Sequence, residues 1–347
     1  MRLDVYRDAT GFEILADEWN DLLYHSDTNS IFLTHEWQST WWRFFSPGRE
    51  LILLALRQEK DLVGIAPLYR QELPDGRTVI QLIGGPGPDN KDICDYLDII
   101  ALPDYRGHVY QAAFEFLTAE LTDWNEIDFH CIPEDLPHEI LFEVARQQGL
   151  AVQCQAEDVC PVIPLPATWD DYLAMLDRKQ RHELRRKTRR AEREARVEWY
   201  MASDPDLLAQ EVEAFFDLHR KSSRDKDDFM SEPTMQAFFH QMARFSLAKG
   251  WLELSFLLID GERAATMLCF AYNNQTLVYN SGYDPQQFSH LSPGIVLLGY
   301  HIQDSIAKGR TAFDFLRGDE VYKHRFGGQD FEVLQITVQR DRESAQA

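Results

Sequence analysis

Two hydrophobic patterns alternate along the chain. Short apolar runs rich in β-branched and aromatic residues predict strands, and stretches with apolar positions every three or four residues predict amphipathic helices. In the first half, strands are expected at 2–6, 51–57, 62–70, 79–83, 96–101 and 126–131. Helices are expected at 12–24, after Thr34 as N-cap, near 109–121, and at 137–148, where Gly149 supplies the C-terminal stop. Gly84-Gly85-Pro86-Gly87-Pro88 reads as a loop. The second half opens with a strand at 159–165 and a helix capped by Thr168. A basic run follows, then helices starting at Ser203-Asp204-Pro205 and Ser231-Glu232-Pro233, with Pro at or near the first helical position. Strands at 252–259 and 264–272 form a hairpin through Asp260-Gly261-Glu262, and a third strand covers 276–280. The loop 281–293 leads to a helix at 294–308, and strands at 312–316 and 333–340 close the chain. Both halves are α/β. They share a weak repeat: Phe32-Leu33-Thr34, an aromatic helix, Gly48 and a hairpin find a counterpart in Phe229-Met230-Ser231, a helix with Phe238-Phe239, Gly250 and a hairpin.

The length of 347 residues favours two domains over one core. No apolar run approaches a membrane span, and the N-terminus lacks the apolar stretch of a secretory signal. Five scattered cysteines suit neither a disulfide framework nor a zinc site. These features point to a cytoplasmic protein without a metal. The net charge of −22 disfavours DNA as a partner. One segment reverses that balance. From Asp177 to Arg196 the chain holds 10 Lys/Arg and 4 Asp/Glu, leaving 25 positive and 53 negative residues elsewhere.

Several motifs of the second half carry a resemblance. They are Gly261-Glu262-Arg263-Ala264-Ala265, Tyr279-Asn280-Ser281-Gly282-Tyr283-Asp284-Pro285, Leu291-Ser292-Pro293-Gly294, and Phe313-Asp314-Phe315-Leu316-Arg317-Gly318-Asp319 with Tyr322-Lys323. The first half adds Ser30-Ile31-Phe32-Leu33-Thr34-His35-Glu36-Trp37, Val63-Gly64-Ile65-Ala66-Pro67-Leu68 and Cys94-Asp95-Tyr96. In this order, from about Trp19 to Phe326, they resemble the GNAT-fold acyltransferases of the FemAB-like, CelD-like branch, associated with bacterial cellulose and exopolysaccharide synthesis. The resemblance implies tandem GNAT-like domains, each a mixed, mostly antiparallel twisted sheet flanked by helices. It also implies a bacterial protein that transfers acyl groups from acyl-CoA or aminoacyl-tRNA. The expected boundaries are 1–155 for a degenerate first domain and 156–347 for the acyltransferase domain.

The candidate chemistry concentrates in the second half. Ser292, Pro293, Gly294 and Ile295 open a helix whose N–H groups can hold the pyrophosphate of a donor; Ser292 can equally be a plain N-cap. Tyr283 can protonate a leaving thiolate or hydroxyl, and Asp284 can accept a proton from an attacking group, or the pair can simply form a turn. Asp314, at the end of a strand where such folds place ligands, is the third catalytic candidate, or else half of a buried structural ion pair; lying between Phe313 and Phe315 it needs a partner if buried, with Arg317, Lys323 and Arg325 as candidates. Arg317, Asp319, Tyr322 and Lys323 read as a substrate-binding wall. Arg181, Arg185 and Arg189 on the basic helix suit an anionic substrate, or else a solvated face with intrahelical ion pairs. His219 reads as an interface histidine, and Trp37, Trp41 and Trp42 as core. No Gly-x-Ser-x-Gly elbow or Cys–His dyad is present, which matches direct transfer without a covalent enzyme intermediate. The expected function is N- or O-acyl transfer from acyl-CoA to a sugar, polysaccharide or cell-envelope precursor. Two alternatives stand beside it: an aminoacyl-tRNA-dependent FemAB-like peptidyltransferase, and a non-catalytic partner of a polysaccharide synthase.

Overall fold

The computed structural model describes residues 1–86 and 93–340; Gly87 and Pro88 of the expected loop and residues 341–347 lie outside the described residues. The elements run β1 (Arg2–Tyr6), α1 (Thr10–Tyr24), α2 (His35–Phe45), β2 (Arg49–Gln58), β3 (Asp61–Glu72), β4 (Thr78–Leu82), β5 (Ile100–Ala101), α3 (Arg106–Ala119), β6 (Glu126–Pro133), α4 (His138–Gln147) and β7 (Leu150–Val159). They continue with β8 (Val162–Pro164), α5 (Trp169–Met175), α6 (Arg178–Glu194), β9 (Val197–Met201), α7 (Leu208–Ser222), α8 (Arg224–Met230) and α9 (Pro233–Ala248). The last are β10 (Leu252–Ile259), β11 (Glu262–Tyr272), β12 (Gln275–Tyr283), α10 (Pro293–Ala307), β13 (Ala312–Asp314), α11 (Val321–Arg325) and β14 (Glu332–Arg340). No helix among the described residues is long and apolar enough to cross a membrane.

The chain divides into two compact units, 1–158 with 332–347, and 159–331. This division differs from the expected one in its last strand. The run at 333–340 was expected to close the second domain, but β14 lies between β6 and β7 in the first sheet. Ile336 faces Phe129, Val338 faces Ile127, and Val333, Ile336 and Val338 are fully buried there. An alternating strand carries no local record of its partner, so its placement rests on long-range burial.

In the first unit the sheet order is β1-β2-β3-β4-β6-β14-β7, with β5 on β3. Pairing is antiparallel from β1 to β4 and parallel between β4 and β6, where Val79 and Ile80 face Glu126 and Ile127. Trp37 and Trp41 are fully buried and Trp42 nearly so. Thr34 caps α2 by accepting the Trp37 N–H. The strand expected at 96–101 shrinks to β5. The segment before it is buried at the ends of β4 and β6: the Leu97 N–H donates to the Cys131 carbonyl (2.9 Å), and the Leu97 side chain crowds Gly84.

The second unit repeats this order as β9-β10-β11-β12-β13-β8. Its pairing is antiparallel from β9 to β12, parallel between β12 and β13, and antiparallel between β13 and β8. Helix α10 links the parallel pair, as α3 does in the first unit. Helices α7 and α9 pack against the sheet, and α10 packs against β10, β11 and β12 with α5 and α6 stacked upon it. The two sheet faces separate clearly: the Tyr279 ring meets Phe239 of α9, while Val278 joins Val296 and Leu297 of α10 in the core. Two local readings change. Helix α7 starts at Leu208, after a turn at 205–207, so Pro205 is not its first residue. Ser292 sits in the left-handed region (φ 54°) and its side chain caps nothing, so it is not an ordinary N-cap.

Candidate active site

Strands β12 and β13 pair over only three residues, with Gln275, Thr276 and Leu277 facing Ala312, Phe313 and Asp314. Beyond Leu277 the strands part, and β12 runs on to Tyr283 without further pairing to β13 among the described residues. A β-bulge follows at Tyr279, where the β11 register jumps from Cys269–Val278 to Leu268–Asn280. The bulge places Tyr279 and Asn280 on the same face of the sheet: the Asn280 Oδ1 meets His219 Nε2 of α7 (2.9 Å), and Tyr279 meets α9. Ser281 and Tyr283 are thereby turned to the α10 face. At Gly282, a Cβ would lie 2.5 Å from the His219 backbone nitrogen, so only glycine admits α7 this close.

The parting strands open a cleft of about 360 Å³. Met267, Val278, Leu298 and Phe315 form apolar walls. Ser281, Tyr283 and Tyr322 supply polar groups, and Ser292, Pro293, Gly294 and Ile295 close one end with the α10 N-terminus. Pro293 has no N–H, and the Ile295 and Val296 N–H groups both turn back to the Ser292 carbonyl (3.1 Å each). Among the described residues the Gly294 N–H has no hydrogen-bond acceptor, which leaves it for a ligand at the positive end of the helix.

The expected site residues divide into two sets. Tyr283, Ser292, Pro293, Gly294, Ile295 and Tyr322 all line the cleft. Tyr283 is 39% exposed, and its N–H is held by Ser222 Oγ of α7 (2.7 Å), which fixes the strand end but leaves the phenol to the cleft. Burial pushes the Tyr322 hydroxyl up, so it stays protonated, and its ring packs edge-on to Phe315. Asp284 follows in the turn. Its Oδ1 accepts the Gln286 and Gln287 N–H groups, and its Oδ2 lies 3.2 Å from Lys221 Nζ. Partial burial works against its charge, but these donors hold the carboxyl below its usual range.

Asp314, Arg317, Asp319 and Lys323 are not among the cleft-lining residues. Asp314 is buried and accepts the Leu316 N–H (2.7 Å), holding Leu316 in the left-handed region (φ 54°) and setting the path of the chain past Phe315. Lys323 Nζ is enclosed by the carbonyls of Leu316, Arg317 and Gly318 (3.2, 2.7 and 3.0 Å) and by Glu320 (2.9 Å). It clamps that loop. Asp319 pairs with His324 (2.7 Å). On α6, Arg185 and Arg189 are exposed, and Arg181 donates to the Leu173 carbonyl (3.2 Å). Two residues had no signal of their own in the sequence. Ser222 and Lys226 reach the β12 end from 61 and 55 positions away; Lys226 Nζ donates to the Ser281 carbonyl. Burial lowers the Lys226 pKa, with Lys323 adding to the effect and Glu320 opposing it. Burial, aided by Lys226, also draws His219 down to about 4, so it is neutral at pH 7.

Residues 178–324 match the acetyltransferase (GNAT) domain family. Among solved structures, FemX superposes with a TM-score of 0.68 at 10% identity, covering 99% of this chain and 98% of its own. A conserved protein of unknown function from Bacteroides thetaiotaomicron reaches 0.61 at 11% identity, covering 97% and 100%. L-PGS from Bacillus licheniformis reaches 0.54 at 12% identity, covering 94% and 92%. No curated protein sequence matches the chain. The fold is of GNAT type, in tandem. Within it, the splayed strand pair is open in the second unit, while in the first the same place is taken by buried residues 93–99.

Proposed function

We propose that the second unit is an acyltransferase. It moves an acyl group directly from acyl-CoA to an amine or hydroxyl of a sugar, polysaccharide or other cell-envelope precursor of the cellulose and exopolysaccharide kind. One observation carries the reading: β12 and β13 part after three pairs and open a cleft that ends at the free Gly294 N–H of α10. Its apolar walls suit a thioester arm, and the helix terminus suits a phosphate. Main-chain N–H groups on the splayed stretch of β12, other than that of Tyr283, which Ser222 holds, offer donors to the thioester oxygen as charge grows there. The attacking nitrogen or oxygen forms its bond to the acyl carbon as the C–S bond breaks. Tyr283 donates its phenolic proton to the leaving sulfur, and the proton released by the attacking group restores the phenol through solvent. Asp284 and Asp314 act as positioning residues, the first for the turn after Tyr283 and the second for Phe315. The first unit is a degenerate copy whose equivalent cleft is filled.

A second reading, aminoacyl-tRNA as donor, draws on the cationic row of α6. Calorimetric titration of CoA and acetyl-CoA into the full chain decides between them. Binding that Leu298→Trp weakens at least tenfold by filling the cleft is the expected result. A folded protein that binds neither thiol nor thioester, yet is saturated by aminoacyl-tRNA, would replace the first reading with the second. Binding to neither would leave the accessory role.

A further inference from the structure

Helix α6 carries nine Lys/Arg and three Glu over 17 residues. Its carboxylates are already engaged. Glu183 holds Arg186 (2.7 Å) and Lys187 (3.7 Å), Glu194 holds Arg190 (3.1 Å) and Arg193 (2.8 Å), and Glu192 accepts the Tyr300 hydroxyl (2.8 Å). Arg178, Arg185 and Arg189 have no carboxylate within 4.0 Å among the described residues. With His182 and Arg193 they recur every three or four positions, which gathers them within one face of the helix. All five are exposed. The two buried residues, Leu184 and Ala191, lie on the opposite side, and Leu184 reaches α10 at Gly299, where a Cβ would stand 3.1 Å from its Cδ1. The cationic row therefore points away from the body of the second unit, and among the described residues no other element of that unit faces it. A small anionic substrate would find no enclosure there. Such a row fits an extended anionic surface that supplies the other side.

We infer that α6 seats the second unit on a membrane surface rich in anionic lipid. The inference does not rest on the acyl-transfer reading. The row spans about 22 Å at 1.5 Å per residue, long enough to meet several headgroups of a planar layer at once. Its charges are spread over one exposed face with no recess to receive a single base, and a layer of anionic headgroups meets such a face along its whole length. Met175, the last residue of α5 and three positions before Arg178, is 49% exposed, an apolar group near the start of α6 that suits a headgroup–acyl boundary. On the side of α6 turned to the body of the unit, a groove of about 250 Å³ runs between α6 and the α10 N-terminus. Leu176, Leu184 and Phe326 give it an apolar floor, and Lys179, Lys187 and Arg325 rim it. It shares Ile295 and Tyr322 with the cleft, so a substrate presented from the membrane has a route to the reacting centre.

The test is co-sedimentation of the full chain with phosphatidylcholine vesicles, and with vesicles in which about 30% of the lipid is phosphatidylglycerol, an anionic fraction large enough to attract a basic segment. Binding is expected to the anionic vesicles only, released at about 0.5 M NaCl where screening shortens the reach of the charges. Combined Arg178→Gln, Arg185→Gln and Arg189→Gln should lower the partition coefficient at least tenfold, with an unchanged circular dichroism spectrum. Met175→Ser should weaken binding several-fold without changing its salt dependence. Three results overturn the inference: no sedimentation of the wild-type chain with anionic vesicles, equal sedimentation of a folded triple variant, or displacement of the chain from vesicles by a duplex RNA that binds it more tightly. The last would make RNA the occupant of the row.

Discussion

Tyr283 shows how closely the candidate chemistry depends on single positions. Its phenol faces the cleft because a bulge four residues earlier shifts the β12 register, and Ser222 locks its backbone. Tyr283→Phe keeps the wall but removes the proton. We expect kcat to fall at least tenfold, about 1.4 kcal/mol of transition-state stabilisation, with the KM for the thioester nearly unchanged. An unchanged kcat would reduce Tyr283 to a wall. The turn at Asp284-Pro285 was legible, because turn formers follow an apolar run, although β12 runs to Tyr283, three residues past its expected end. The bulge was not, since it is a property of two paired strands. Lys226 was hidden for the same reason: nothing within its own stretch of chain marks a lysine that is buried by a strand 55 positions away. Asp314 was rightly seen to need a partner, and one that its sequence could not mark is the backbone N–H two residues on, a contact that any residue type but proline at position 316 can make.

At the scale of elements, the long helices and the central hairpins followed from period and caps. Strand β7 was missed because much of it faces solvent with little apolar alternation, and β9 because it is five residues long, half-buried at four of them, and follows directly on the basic helix. The polar groups of β7 instead tie the first sheet together. His130 of β6 lies between Asp128 (2.9 Å) and Glu157 of β7 (2.7 Å), and Asp128 also accepts from Gln335 of β14 (2.8 Å). Burial opposes the imidazolium, but these two hydrogen bonds and the charges behind them push His130 up to about 10. Its folded pKa therefore exceeds its unfolded value of 6.5. The tie stabilises fully below pH 6.5, weakens as pH rises through the interval, and is gone above about 10. Urea midpoints of the wild type and His130→Gln should differ most at pH 6 and converge towards pH 10. A difference that stays constant over that range would show that the imidazolium contributes nothing.

For the whole molecule, the telling element is β14. The order β1-β2-β3-β4-β6 and its copy β9-β10-β11-β12-β13 each need an antiparallel strand beside the parallel one. In the second unit β8 supplies it just before α5; in the first, β14 supplies it from the far end of the sequence. A chain ending at Phe331 should therefore lose the first unit and keep the second. Limited proteolysis followed by mass spectrometry should find 159–331 resistant and 1–158 rapidly cut, while equal resistance of both would mean that the first unit folds without β14. The same strand also sets a timetable. A ribosome delivers β6 and β7 early, then spends roughly 10–35 s on the next 170 or so residues at ordinary elongation rates before β14 emerges. For that interval two sheet edges of the first unit stand bare, open to pairing with the wrong strand. The half of the molecule that is made first is thus the half that is finished last, and a nascent chain stalled anywhere before Glu332 is a chain with an incomplete sheet.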